Sequence, residues 1–153
     1  MEKHTFLLTG TWTGGLGGGG RVRADGLDAA VSAPKAFGGT GEGSNPEELL
    51  LGAAATCYMI TFGMYAERLE LPIAEMTLAC EGQVSRRGSV RFEAIVHRPA
   101  IRLAPGATAE DEERVLRAAL QAEQACMITK ALQGNVAVRT EPVIVREDRE
   151  DSC

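Results

Sequence analysis

The chain has 153 residues, 44% apolar and 24% charged, which suits one globular domain with a real core. Its net charge of −5 gives no basic footprint, so nucleic acid is not an expected partner. No charged segment leads into an apolar run at Met1, so no secretory leader is expected and a reducing cytoplasm is the natural setting for its thiols.

Thr5 to Thr13 alternates, with Phe6, Leu8 and Trp12, and predicts a first strand. Gly14 to Gly20 contains a formal GxGxxG at Gly15, Gly17 and Gly20. A dinucleotide loop must open a helix, whereas Arg21 to Gly26 alternates like a strand, so the glycines read as a hairpin. Leu27 to Pro34 predicts a third strand, and Phe37 to Ser44 a glycine-rich connection.

A helix is predicted from Pro46 to about Leu69, ending before Pro72. Asn45 can cap it, Pro46 suits the first helical position and Glu48 stands where a capping box wants an acid. No charge appears from Leu49 to Ala66. Such a helix has no polar face, so the rest of the chain, a partner subunit or lipid must wrap it. The run just reaches the length of a membrane span, but its Ala, Gly and Thr content and the two Glu at its start favour a buried central helix without a membrane.

Met76 to Val84 predicts a strand with Met76, Leu78, Cys80 and Val84 inward. Val90 to Leu103 returns beside it, with Val90, Phe92, Ala94 and Val96 on one face and Pro99 interrupting or edging it. Thr108 starts a second helix, with acids in its first turns and a stripe of Val115, Leu116, Ala119, Leu120 and Ala122. Glu123 to Leu132 continues this helix or forms a short separate one, ended by Gly134-Asn135. Val136, Val138, Val143 and Val145 predict a final strand. The domain is expected over residues 1–146, with a charged tail over 147–153. The order is α+β: antiparallel sheets packed around a buried central helix.

The cysteines are Cys57, Cys80, Cys126 and Cys153. None forms a CxxC pair and only His4 and His97 could join them, so no zinc site is expected. A free cysteine is core filler or chemistry. Cys80 alternates inward as core, and Cys153 is a terminal thiol. Cys57 sits in the middle of the most apolar segment.

Gly43-Ser44-Asn45-Pro46-Glu47-Glu48-Leu49, followed by Ala53-Ala54-Ala55-Thr56-Cys57, resembles the first-cysteine motif of the OsmC/Ohr family, the osmotically induced and organic-hydroperoxide-resistance proteins. Ala122 to Leu132, around Cys126, resembles the second. The cysteines stand 69 positions apart, close to the family's spacing, and the element order also matches. The resemblance implies an OsmC-like fold, an intertwined homodimer and a thiol peroxidase acting on organic hydroperoxides. It implies that Cys57 is peroxidatic, that Cys126 resolves it through an intramolecular disulfide, and that Glu47 matches the catalytic glutamate. It implies a dithiol reductant, often lipoyl-based, and no metal or flavin cofactor.

Glu47 precedes Cys57 by ten residues, about 15 Å along a straight helix, so it is expected to serve the site by packing against a second subunit. As an acid in a first turn it also stabilises the helix without any catalysis. The sequence departs from the family at the cation. Where Ohr-type members place an arginine after the first Gly-Gly stands Leu16, and the OsmC-type position falls near Ala36-Phe37. Lys35 is the candidate replacement and Arg21 the second, although lysine lacks the planar fork of arginine. Without a positive group, a cysteine in an apolar helix has a raised pKa and is inert. The competing reading is therefore a non-enzymatic member, redox-sensing or small-molecule-binding; a dimer with unreactive thiols is a third. Apolar walls including Tyr58, Met59 or Phe62 would favour organic over hydrogen peroxide.

Overall fold

A computed structural model describes residues 1–146; the charged tail and Cys153 lie outside the described residues. The chain forms two compact units that meet in sequence at Leu50 and Leu51.

The first unit is a meander of three antiparallel strands, β1 (Thr9–Thr13), β2 (Gly19–Arg23) and β3 (Asp28–Val31). The glycine run closes the β1–β2 hairpin, with Thr13 opposite Gly19, as its lack of a following helix predicts. The first strand begins later than the alternation suggests, leaving Phe6, Leu7 and Leu8 exposed ahead of it. A 3-10 turn over Lys35–Phe37 follows β3. Gly43 has φ +70°, and a Cβ there would lie 2.3 Å from the Ala30 carbonyl oxygen, so only glycine fits.

Helix α1 (Pro46–Arg68) starts as expected: the Asn45 side chain accepts the Glu48 N–H at 2.9 Å. The Glu48 carboxylate takes the Ser44 hydroxyl instead of completing a capping box. Helix α1 ends ahead of Pro72, with Glu70 at φ 50° and the Leu71 N–H on the Ala66 carbonyl.

The second unit pairs β4 (Ile73–Arg87) with β5 (Ser89–Leu103) in a long antiparallel hairpin. Val84 lies opposite Phe92 while Gln83 lies opposite Ala94, so a bulge leaves Glu93 unpaired. The bulge corrects the expectation that Val90, Phe92, Ala94 and Val96 share a face. Phe92 lies over Gly82 on the face that carries Ile95, while Ala94 and Val96 turn to the other. Pro99 neither interrupts nor edges the strand: it is buried in the central β5, opposite Leu78. It is tolerated because β6 (Ala137–Thr140) pairs with Ala94–His97 and β7 (Val143–Val145) with Ala100–Arg102. The missing N–H of Pro99 falls in the gap between these partners. Both late strands join β5 in parallel, so the four-stranded sheet is mixed rather than wholly antiparallel.

Helix α2 (Ala109–Ala125) begins with a capping box between Thr108 and Asp111. Its buried stripe is Val115, Ala118, Ala119 and Ala122. Leu116 and Leu120, expected inside, are exposed. Small side chains suit this contact because Tyr58 and Phe62 of α1 fill it, together with Ile101 and Leu103 of β5. A separate short helix, α3 (Met127–Leu132), follows Cys126.

Among the described helices α1 alone is long and apolar enough to cross a membrane, with mean hydropathy 1.5. One face packs through Ala54, Tyr58 and Phe62, while Met59, Ile60 and Met64 are exposed in the single chain.

Candidate functional site

Cys57 lies at mid-length of α1 and is half-buried; Cys126 lies in the joint between α2 and α3 and is fully buried. The joint has a local cause. Cys126 has ψ 124°, outside the helical range, so α2 stops and α3 restarts on a new axis. Its N–H still closes α2 on the Ala122 and Glu123 carbonyls, and its carbonyl accepts the Lys130 N–H of α3. The first N–H groups of α3 are thereby turned toward Cys57.

The two thiols are free and close enough to shift each other's acidity. Their acidities split. Burial pushes the Cys57 thiol up, but hydrogen bonds from Cys126, the Ile128 and Met127 N–H groups and the Thr61 hydroxyl outweigh it and hold the pKa below its ordinary value. Cys126 is pushed up by burial and by donation to Cys57, against the opposing Thr129 and Ile128 donors. Cys57 is therefore the group that ionises first, and Cys126 retains its proton. Thr61 lies one turn along α1, and its hydroxyl donates to the Cys57 carbonyl at 2.8 Å. The donors that lower Cys57 within the single chain are all uncharged.

Of the other expected site residues, Glu47 and Lys35 belong to the first unit. Glu47 is the second residue of α1, and its Oε2 is buried without a hydrogen-bond partner among the described residues. Lys35 opens the 3-10 turn and is exposed, its stem lying over Gly41. Arg21, the second candidate cation, is paired with Asp28 at 2.5 Å. Tyr58 and Phe62 are core residues rather than walls of a substrate path. The Tyr58 ring stacks on His97 and its hydroxyl donates to the Ala119 carbonyl at 3.0 Å. Met59 is exposed and can serve as such a wall. Cys80 is half-buried, opposite His97, and burial raises its pKa.

Sequence reasoning missed three donors. Thr61 could have been found by its spacing of four from Cys57, which puts both on one helical face. The Met127 and Ile128 N–H groups carry no side-chain signal and depend on the break at Cys126.

The family model of the OsmC-like proteins matches residues 39–141. The uncharacterized protein YmaD of Bacillus subtilis (strain 168) is 38% identical over 142 residues, spanning 92% of this chain and 95% of its own. An organic hydroperoxide resistance protein of Xanthomonas axonopodis pathovar citri (strain 306) is 29% identical over 143 residues, spanning 90% and 94%. The solved OsmC-like protein of Vibrio cholerae superposes with a TM-score of 0.76 at 17% identity, over 92% of this chain and all of that one, and so shares the fold. With the two-cysteine motifs, the fold and the family match all falling on the same elements, the chain belongs to the OsmC/Ohr family of OsmC-like proteins.

Proposed function

We propose that this protein is a thiol peroxidase that reduces organic hydroperoxides through Cys57 and Cys126. The observation that carries this reading is the opposite shift of two thiols that shift each other's acidity: one is disposed to attack as thiolate, the other to keep a proton. The Cys57 thiolate attacks the distal peroxide oxygen. An S–O bond forms, the O–O bond breaks, and the alkoxide leaves as alcohol after taking a proton from water. Cys57 is then a sulfenic acid. The Cys126 sulfur attacks it, an S–S bond forms, and the hydroxyl leaves as water with the Cys126 proton. An external dithiol, of the lipoyl class or similar, reduces the disulfide and is itself oxidised. No metal or flavin takes part.

The substrate class rests on the apolar Met59 and on the likeness to a relative named for organic hydroperoxide resistance. The protein acts as a homodimer in a reducing cytoplasm. A second copy covers Met59, Ile60 and Met64 of α1, which one chain leaves exposed. Glu47 and Lys35 are the carboxylate and cation of the assembled site. The second reading, a non-enzymatic redox sensor or small-molecule binder, draws on the missing family arginine, with only the exposed Lys35 close to its OsmC-type position.

The test is a free-thiol count on reduced protein before and after one equivalent of an alkyl hydroperoxide, with peptide mapping. Rapid loss of two thiols per chain, mapped to a Cys57–Cys126 disulfide, is expected. Thiols that persist in both peptides overturn the peroxidase and favour the second reading.

A further inference from the structure

Cys80 and His97 are opposed across the β4–β5 hairpin. Opposed residues of an antiparallel pair point to the same face, with Cβ atoms about 5 Å apart. His97 is fully buried on that face, and Cys80 is half-buried beside it. On the other side of His97, the parallel β5–β6 register sets Thr140. Thiol, imidazole and hydroxyl thus form one row across three strands. Neither ring nitrogen of His97 has a hydrogen-bond partner among the described residues, and neither has the buried Thr140 Oγ1. Buried polar groups in this state call for a reason. The Tyr58 ring stacks on the imidazole at an interplanar angle of 20°. That stack covers the face of the imidazole; its nitrogens lie on the edge, in the plane of the ring.

Burial holds the His97 pKa below its ordinary value, so the imidazole is neutral, with one lone pair and one N–H. Thiolate and imidazole together are ligands for soft ions. Among the described residues no three His, Cys, Asp or Glu side chains are grouped to hold an ion. A tetrahedral zinc site or an oxygen cage therefore has too few donors. Cu(I) accepts two. Bonds of about 2.3 Å to sulfur and about 2.0 Å to nitrogen, placed end to end, span about 4.3 Å. Side chains on Cβ atoms about 5 Å apart can hold that span. Charge selects the same ion. One thiolate and one monovalent cation cancel, whereas a divalent cation leaves a net positive charge in apolar surroundings.

We propose that Cys80 and His97 are the two ligands of a Cu(I) site, with Thr140 as a positioning residue that accepts the remaining ring N–H of His97. Such a bond fixes the tautomer and turns the lone pair toward the ion. The ion enters on the side of the half-buried Cys80. The Cys80 thiol gives its proton to solvent, one Cu–S and one Cu–N bond form, and no electron is transferred. The site uses neither Cys57 nor Cys126 and does not depend on the peroxidase reading.

The experiment is peptide-resolved alkylation of Cys80 in the reduced, full-length protein under anaerobic conditions, with Cu(I) buffered by bicinchoninate. Mapping by peptide separates Cys80 from the Cys57 and Cys126 thiols, which also take Cu(I). In wild type, Cu(I) is expected to slow Cys80 alkylation about tenfold or more and Zn(II) to leave it unchanged. His97→Phe is expected to abolish the protection, and Thr140→Val to require roughly tenfold more free Cu(I) for the same protection. Cu(I) protection confined to the Cys57 and Cys126 peptides overturns the proposal, as does Cys80 protection that survives in His97→Phe or is matched by Zn(II). Should His97→Phe not fold by circular dichroism, nitrogen-15 NMR of wild type decides, since Cu(I) is diamagnetic. A shifted His97 ring nitrogen supports the site, and one that Cu(I) leaves unmoved overturns it.

Discussion

His97 is fully buried, and neither ring nitrogen has a hydrogen-bond partner among the described residues. Its ring stacks on Tyr58 with centroids 5.0 Å apart, so the imidazole is held as an apolar plate. Burial depresses its pKa below the ordinary histidine value. The unfolded chain therefore binds a proton more readily than the fold as pH falls through about 6.5, and stability present above that value is lost toward the lower folded pKa. The carboxylates that lose stability with acid, Asp28, Glu81 and Asp111, are themselves shifted down and act at lower pH. Urea denaturation should thus give a falling unfolding free energy between about pH 7.5 and pH 5. The His97→Phe variant, which keeps a stacked ring, should be flat in that window. Equal slopes for the two proteins would remove His97 as the cause. In the sequence His97 figured only as a rejected zinc ligand, because nothing local tells an inward histidine from an outward one.

Among the elements, the joint between α2 and α3 matters most to the chemistry. Its break at Cys126 aims the Met127 and Ile128 N–H groups at Cys57. The exposed Met127 occupies the first position of α3, where proline is tolerated, and the extended ψ of Cys126 suits a residue before proline. Met127→Pro therefore deletes one N–H donor and little else. Alkylation of Cys57 should show its midpoint raised by about one pH unit or less, with an unchanged circular dichroism spectrum. An unmoved midpoint would show that the Met127 donor contributes nothing. The sequence left open whether α2 continued through Cys126, since Glu123 to Leu132 has no proline or glycine to mark the break. Likewise, Pro99 pointed to a strand edge because local rules cannot show that β5 changes partners beside it.

For the whole molecule, the exposed face of α1 decides how the chain exists in solution. Met59, Ile60 and Met64 present an apolar surface that one chain does not cover. Ile60→Glu puts a charge on that face without touching the buried Tyr58 or Phe62. In the homodimer reading, sedimentation should show wild type at twice the chain mass and Ile60→Glu at the mass of one chain. A wild-type monomer would exclude the dimer, and recovery only with detergent would turn the same helix toward lipid.

The sequence by itself determined the element types, the extent and cap of α1, the hairpin at the glycine run and both cysteine motifs. These are local signals: periodicity, capping residues and turn chemistry act over a few positions. Only the tertiary structure decided which alanines of α2 face Tyr58, where the bulge turns β5 over, how Pro99 is accommodated and which donors surround Cys57. Those outcomes depend on segments far apart in the chain filling one space, and on backbone N–H groups that every residue but proline carries and no residue type announces.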